Sequence, residues 1–235
     1  MSEAEVSNGA AIAGANGAVV SPDEKKNRNP VVCVFCGASS GNSPTHLEAA
    51  RSLAQALHSR NATLVYGGGT MGMMGEIAKT LVSLSGPQSV HGIIPGALVK
   101  FEQDGSAIEE SIYGKTTVVN DMHTRKHMMA EAVYAGGEGS GFVALSGGYG
   151  TLEELMEVTT WNQLGIHGRG VVVYNIEGYW DGLFQWVRTA CKAGFIKGEN
   201  GQIMVEAKSA EEVVRALFEY KNSKERLNLE WVHEG

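Results

Sequence analysis

Three times along this chain a short apolar run ends in glycines and gives way to a helical pattern. The runs finish at Cys36, Tyr66 and Leu145. The third junction is the most explicit. Residues 142–145 read as a buried strand, Ser146, Gly147 and Gly148 break it, and Leu152, Leu155, Met156 and Thr159 then recur at steps of three and four. A strand that turns through glycine into a helix offers unpaired first-turn N–H groups, a partial positive charge and a backbone that a ligand can approach closely. Residues 148–151 are therefore where a phosphate is expected, with the Thr151 hydroxyl as a further donor. A tight turn alone would explain the glycines equally well. Glu153, Glu154 and Glu157 sharpen the reading. They suit the helix dipole, but a carboxylate facing a bound phosphate would repel it. A glutamate that enters the cleft should point beside the phosphate, towards hydroxyls or a water. Phosphate plus hydroxyls suggests a sugar phosphate or a nucleotide.

The rest of the chain repeats the same alternation. Strands are expected at residues 31–36, 63–66, 90–94, 116–119, 142–145, 171–174 and 203–205. Ser43 followed by Pro44 reads as a helix start, with the helix running to about residue 60. Further helices are expected over 71–84, from Asp121 onward, over 179–193, and after Ser209, where Glu212 completes a capping-box spacing. Gly72 and Gly75 inside the second helix cost stability relative to alanine, which close approach to a ligand or a neighbouring helix would explain. Strand–helix alternation from end to end predicts one α/β domain over residues 31–221, a Rossmann-like doubly wound parallel sheet. Ligands in such sheets bind outside the carboxyl ends of the strands at the topological switch point, so the three glycine turns should open on one edge.

Composition removes several classes. A formal net charge of -7 argues against a protein that coats a nucleic acid polymer. No apolar run reaches the roughly 18 residues of a membrane span. Residues 1–30 are rich in Ala, Gly, Ser and Asn and cannot offset their ordering entropy by burial, so a disordered tail is expected there. That segment lacks the charged start and apolar core of a signal peptide. A second, charged tail is expected over 222–235. The 3 cysteines fit a reducing compartment, and a cytoplasmic location is expected. Cys33 and Cys36 form a C-x-x-C, but on a strand residues three apart face opposite sides, so buried thiols are expected rather than a redox pair.

Arg125 and Lys126 sit early in a helix that starts at the same sheet edge. A planar guanidinium suits a phosphate or an oxyanion, and adjacent helical residues point about 100° apart. One can enter the cleft while the other supports a neighbouring group. His123 and His127 have a zinc-compatible spacing, but the glutamate of H-E-x-x-H is missing and no third ligand stands out, so no metal is expected.

Taken together, the stretches at 67–75, 122–128 and 147–154 make a combination that resembles the LOG ("lonely guy") family of cytokinin-activating enzymes. The resemblance runs from residue 32 to about residue 219 and includes Cys33-Val-Phe-Cys-Gly, Gly92-Ile-Ile-Pro and Thr160-Trp-Asn-Gln-Leu-Gly-Ile-His. It implies hydrolysis of an N6-substituted adenosine 5′-monophosphate to the free base and ribose 5-phosphate, without a cofactor. It implies Arg125 and Glu154 as the catalytic pair. Glu102, Lys126, Gly147, Gly148, Tyr149, Gly150, Thr151, Leu152, Glu153 and Thr159 match substrate-binding positions. It also implies a homodimer or higher homo-oligomer that completes its site across the interface. Members have often been labelled lysine decarboxylases, but this sequence shows no pyridoxal-phosphate site. Two departures stand out: Ser146 replaces the usual proline, and residues 136–141 form a glycine-rich insertion.

Breaking an N-glycosidic bond builds positive charge on the ribose and negative charge on the leaving base. A carboxylate opposes the first and orients a water, a role assigned to Glu154. Arg125 stabilises charge on either the phosphate or the base, and the sequence leaves that choice open. A nucleotide- or sugar-phosphate-binding module without turnover is the main rival. An NAD-dependent oxidoreductase is disfavoured, because Gly37-Ala-Ser-Ser-Gly lacks the G-x-G-x-x-G spacing.

Overall fold

Val32, Cys33, Val34 and Phe35 are all closed off from solvent, and burial on both faces is what makes β1 (Val31–Phe35) a central parallel strand. The computed structural model describes residues 28–102, 109–227 and 229. Among these, β1 is joined by β2 (Thr63–Tyr66), β3 (Val90–Pro95), β4 (Lys115–Val119), β5 (Gly141–Ala144), β6 (Gly170–Tyr174) and β7 (Met204–Ala207). They form a 7-stranded sheet in the order β4-β3-β2-β1-β5-β6-β7, with every pairing parallel. Val34 lies opposite Tyr66 on one side and Val143 on the other. The chain winds outward from β1 to β4, then returns to lay β5 against the free side of β1. The loops that follow β1 and β5 therefore diverge at the switch point.

Alternation along the strands divides the core. Val32, Val34, Leu64, Tyr66, Val143 and Val172 face α1 (Pro44–His58), α2 (Gly72–Ser85) and α6 (Ala210–Glu219). Cys33, Phe35, Val65, Phe142, Val171 and Val173 face α3 (Met122–Ala135), α4 (Tyr149–Gln163) and α5 (Asp181–Lys192). Cys33 and Cys36 thus lie on opposite faces, both buried and neither in a disulfide. Leu53 on α1 is fully buried, and truncating such a leucine to alanine costs about 2–5 kcal/mol.

Local chemistry fixes the helix starts. Ser43 Oγ accepts from the Thr45 N–H with Pro44 in the first turn. Asp121 accepts from the Thr124 N–H at 2.8 Å. Ser209 accepts from the Glu212 N–H at 3.2 Å, while the Glu212 carboxylate takes the N–H of Lys208 rather than that of Ser209.

Three features of the sequence gain a structural account in the fold. Gly72, at φ +56°, brings α2 against the loop after β1, where an added Cβ would fall 2.4 Å from Ala38 O. A Cβ on Gly75 would fall 2.0 Å from Thr70 O. These glycines thus admit neighbouring backbone rather than a ligand or another helix. The insertion at 136–141 is tied in: Ser140 Oγ accepts from the Val31 N–H, and the Arg169 guanidinium donates to the carbonyls of Tyr134, Gly136 and Gly137. Beyond Lys221 the chain does not fray at once. Arg226 donates to His167 O at 3.1 Å and the Leu227 N–H to Gln163 O at 2.8 Å. Most of the expected N-terminal tail (residues 1–27), part of the loop before β4 (103–108) and most of the chain beyond Leu227 lie outside the described residues. Among the described residues no helix is long and apolar enough to cross a membrane.

Candidate active site

Where β1 and β5 part, a cavity of about 220 Å³ opens at the carboxyl ends of the strands. Gly37, Gly67, Arg125, Gly148, Thr151 and Glu154 are among its lining residues. All three glycine junctions therefore meet at one place, as a parallel sheet with a switch point requires.

Arg125 is on the first turn of α3 and is 6% exposed. Its Nη2 donates to Gly67 O at 3.3 Å and stands 4.0 Å from Glu154 Oε1, while its Nη1 lies 3.6 Å from Met122 Sδ. Among the described residues its Nε has no hydrogen-bond partner. Gly67 exists to admit this side chain, since a Cβ there would fall 1.9 Å from Arg125 Nη2. Glu154 is 8% exposed on the inner face of α4. Beneath it, burial and then the Glu154 charge push the Cys33 thiol well above its ordinary pKa, so Cys33 stays a neutral part of the core.

Gly148 is the N-cap of α4 and has no side chain to accept from the first-turn N–H groups. The glycines here differ in purpose. A Cβ on Gly147 would fall 2.1 Å from Thr151 Oγ1, so packing demands glycine. A Cβ on Gly148 or Gly150 would meet nothing within 4 Å. Packing within the chain does not require glycine at those two positions, and their bare backbone faces the cleft. Thr151 is 4% exposed and lines the same cavity as Glu154, one helical step of three away.

The adjacent cations separate. Arg125 enters the cleft. Lys126 turns to the outer flank of α4, where its Nζ lies 2.5 Å from Glu153 Oε1 and 3.1 Å from Glu157 Oε1. Burial would lower the amine's pKa, but the hydrogen bonds it donates to both carboxylates outweigh this and hold the pKa above its usual value. Glu153 therefore faces outward and Glu154 inward. Leu152 packs into the core cluster on the α4 face, and the Thr159 hydroxyl bonds back to Leu155 O at 2.7 Å. Tyr149 is 95% exposed at the lip of the turn. Glu102 ends a one-turn helix, Val99–Glu102, and its side chain lies outside the described residues. Within one chain, then, Arg125, Gly148, Gly150, Thr151 and Glu154 line one cavity, whereas Lys126, Leu152, Glu153 and Thr159 do not. His123 and His127 are exposed, and the described residues contain no group of three metal-ligating side chains.

A second chamber of about 550 Å³ shares Gly37, Ala38 and Gly148 with the first and adds His46, Met71 and Tyr179. Gly67 carried a signal in the sequence as part of a glycine junction. His46 and Tyr179 carried none, because they sit in helical patterns remote in sequence from the turn they touch. Larger hollows of about 670 and 770 Å³ lie beside β7 and beside the outer ends of α3 and α4, away from the glycine turns.

Comparison with known proteins gives a consistent picture. The model of a family described as "possible lysine decarboxylase" matches residues 74–217. A "bifunctional cytokinin biosynthesis protein" of Fusarium pseudograminearum is 54% identical over 207 residues, which is 86% of this chain but 42% of that protein. The chain thus spans less than half of that relative. A probable cytokinin riboside 5′-monophosphate phosphoribohydrolase of Oryza sativa subsp. japonica is 43% identical over 192 residues, covering 82% of this chain and 80% of the relative. A cytokinin riboside 5′-monophosphate phosphoribohydrolase of Arabidopsis thaliana is 43% identical over 199 residues, covering 85% and 86%. Among solved structures, the molybdenum cofactor carrier protein of Chlamydomonas reinhardtii superposes with a TM-score of 0.56 at 19% identity over 80% of this chain and 96% of that one. That likeness is one of fold alone.

Proposed function

Since this chain belongs to the LOG family, we propose that it is a cytokinin riboside 5′-monophosphate phosphoribohydrolase. It hydrolyses the N-glycosidic bond of N6-substituted adenosine 5′-monophosphates, releasing the free base and ribose 5-phosphate. One observation carries this reading: a buried carboxylate, Glu154, beside a buried guanidinium, Arg125, at the foot of a bare glycine helix N-terminus.

In this reading the 5′-phosphate lies on the N–H groups of residues 148–151 and the Thr151 hydroxyl. The ribose lies over Glu154. As the bond between C1′ and the base nitrogen breaks, cationic charge grows on the ribose, and the Glu154 carboxylate opposes it. The same carboxylate takes a proton from the water that attacks C1′, and the base leaves with the bonding electron pair and gains a proton. Arg125 stabilises negative charge on the phosphate or on the departing base. Such interactions are stronger in a desolvated cavity than in water. A decarboxylase reading gains no support from the cleft, where no lysine is among the described lining residues and Lys126 is committed to Glu153 and Glu157.

The remaining matched positions fit a homodimer or higher homo-oligomer. Lys126 and Thr159 are not among the residues that line the cavity of about 220 Å³ in their own chain, so a second copy would give them a place beside a cleft. Glu102 is retained as a binding residue on its family motif. Cys33, Cys36 and Cys191, which form no disulfide, suit the cytoplasm. The test is product analysis after incubation with AMP and with an N6-alkylated AMP. Free base and ribose 5-phosphate are expected, and nucleotide binding without release of base would favour the non-catalytic module instead.

A further inference from the structure

The glycine turn is held from outside by three segments distant in sequence. The Gly37 N–H donates to Ser146 O at 3.0 Å. The Tyr179 hydroxyl donates to Gly147 O at 2.5 Å. His46 Nδ1 and Ser146 Oγ lie 3.1 Å apart. These bonds have a directional consequence. A trans peptide is planar, so its carbonyl and its N–H point opposite ways. Gly37 fixes the 146–147 peptide and thereby the direction of the Gly147 N–H. Tyr179 fixes the 147–148 peptide and thereby the direction of the Gly148 N–H. Glycine has little conformational preference of its own, so the rigidity must come from these outside bonds.

Tyr179 is itself elaborately placed. It follows two left-handed residues, Glu177 at φ +51° and Gly178 at φ +75°. A left-handed glutamate is unfavourable and persists only where the surroundings over-determine it. Here Asn175 does so. It is buried, donating to Asp181 at 2.7 Å and to Glu206 at 2.8 Å, and accepting from the Trp180 N–H at 2.7 Å. The Tyr179 ring is then braced edge-on by His46, with centroids 5.9 Å apart at 81°. Gly41, at φ +71°, makes room for that imidazole, because a Cβ there would lie 2.8 Å from His46 Cδ2. Yet Tyr179 is 48% exposed and lines the open chamber beside the turn.

We propose that Tyr179 is a positioning residue, whose hydroxyl aims the Gly148 N–H at the 5′-phosphate while His46 braces its ring. This rests on the reading of residues 148–151 as the phosphate site. Tyr179→Phe removes the hydroxyl and keeps the ring. It should raise KM for the nucleoside monophosphate and Kd for ribose 5-phosphate by the same factor, roughly tenfold, the scale of one lost hydrogen bond. Turnover should stay within about twofold of wild type, the melting temperature should hardly move, and the affinity for adenosine, which has no phosphate, should be unchanged. His46→Ala should weaken ribose 5-phosphate binding less in the wild-type background and not at all in the Tyr179→Phe background. Unchanged ribose 5-phosphate affinity in Tyr179→Phe, or an equal loss for adenosine, would overturn the proposal, and additive effects of the two substitutions would overturn the role of His46. Ribose 5-phosphate binding is measured by calorimetry without turnover, so a protein that released no base would contradict the hydrolase reading and still decide this one.

Discussion

Arg125 and Glu154 face each other at 4.0 Å across the floor of the cleft, with side chains only 7% and 10% exposed. That separation is the outer limit of an ion pair. Two desolvated opposite charges held this far apart keep capacity for a third group between or above them, which a tight bidentate pair would not. In the proposed mechanism the carboxylate of Glu154 opposes the developing ribosyl cation. Glu154→Gln keeps its size and removes its charge. It should lower kcat on N6-substituted AMP by about 10²-fold or more, with the fold intact by thermal melting. Near-normal kcat in this variant would show that the mechanism has been misassigned.

Gly67 offers a way to move Arg125 without replacing it. In Gly67→Ala the new methyl would occupy the position of Nη2, so the guanidinium must leave its place. Turnover should fall about tenfold or more, as expected when a charge-stabilising donor is displaced. Arg125→Lys should fare no better, because a point charge on a flexible stem cannot reproduce the planar fork. Steady-state kinetics of both variants decide the matter, and an active Gly67→Ala enzyme would argue that Arg125 serves packing only.

The 5′-phosphate should be required. If binding energy at residues 148–151 positions the ribose over Glu154, as proposed, the nucleoside should react far more slowly than its monophosphate. Gly148→Ala tests the same point from the protein side. Its methyl meets no atom of the chain, so stability should be nearly unchanged while kcat/KM for the monophosphate drops. Equal kcat/KM for nucleoside and nucleotide would mean that the helix N-terminus binds something else.

His167 should make the fold sensitive to mild acid. It is buried, its Nδ1 accepts from the Arg169 N–H, and its Nε2 therefore donates to Val158 O, so the ring is neutral. Burial chiefly, with the charges of Arg226 and Arg169, pushes its pKa down to about 4, against the Val158 bond that favours the cation. Between about 6.5 and about 4 the unfolded chain binds this proton and the folded chain does not. Stability from this site is therefore complete above about pH 6.5 and is lost as pH falls through that window, up to roughly 3 kcal/mol. Urea melts at pH 7 and pH 4.5 should show this drop in the wild type and a smaller one in His167→Gln.

Much of this was legible in the amino-acid order alone. The seven strands, the caps at Ser43, Asp121 and Ser209, and the opposite facing of Cys33 and Cys36 follow from periodicities and short-range hydrogen bonds within a few residues of one another. The pairing of Arg-Lys with a glycine turn and two glutamates was enough to point to the family. Periodicity and spacing alone did not say which member of each adjacent pair enters the cleft, and only the family resemblance singled out Arg125 and Glu154. Arg125 rather than Lys126, and Glu154 rather than Glu153, are selected by how α3 and α4 are rotated against the sheet, which depends on core contacts of residues far away in the chain. The partners of Gly67 and Gly72, and the bracing of the turn by His46 and Tyr179, were equally hidden. Local order sets the elements because strand alternation, helix hydrogen bonds and caps all repeat within a few residues. Only the tertiary structure decides the site, because a parallel sheet gathers loops at its switch point that the chain itself keeps far apart.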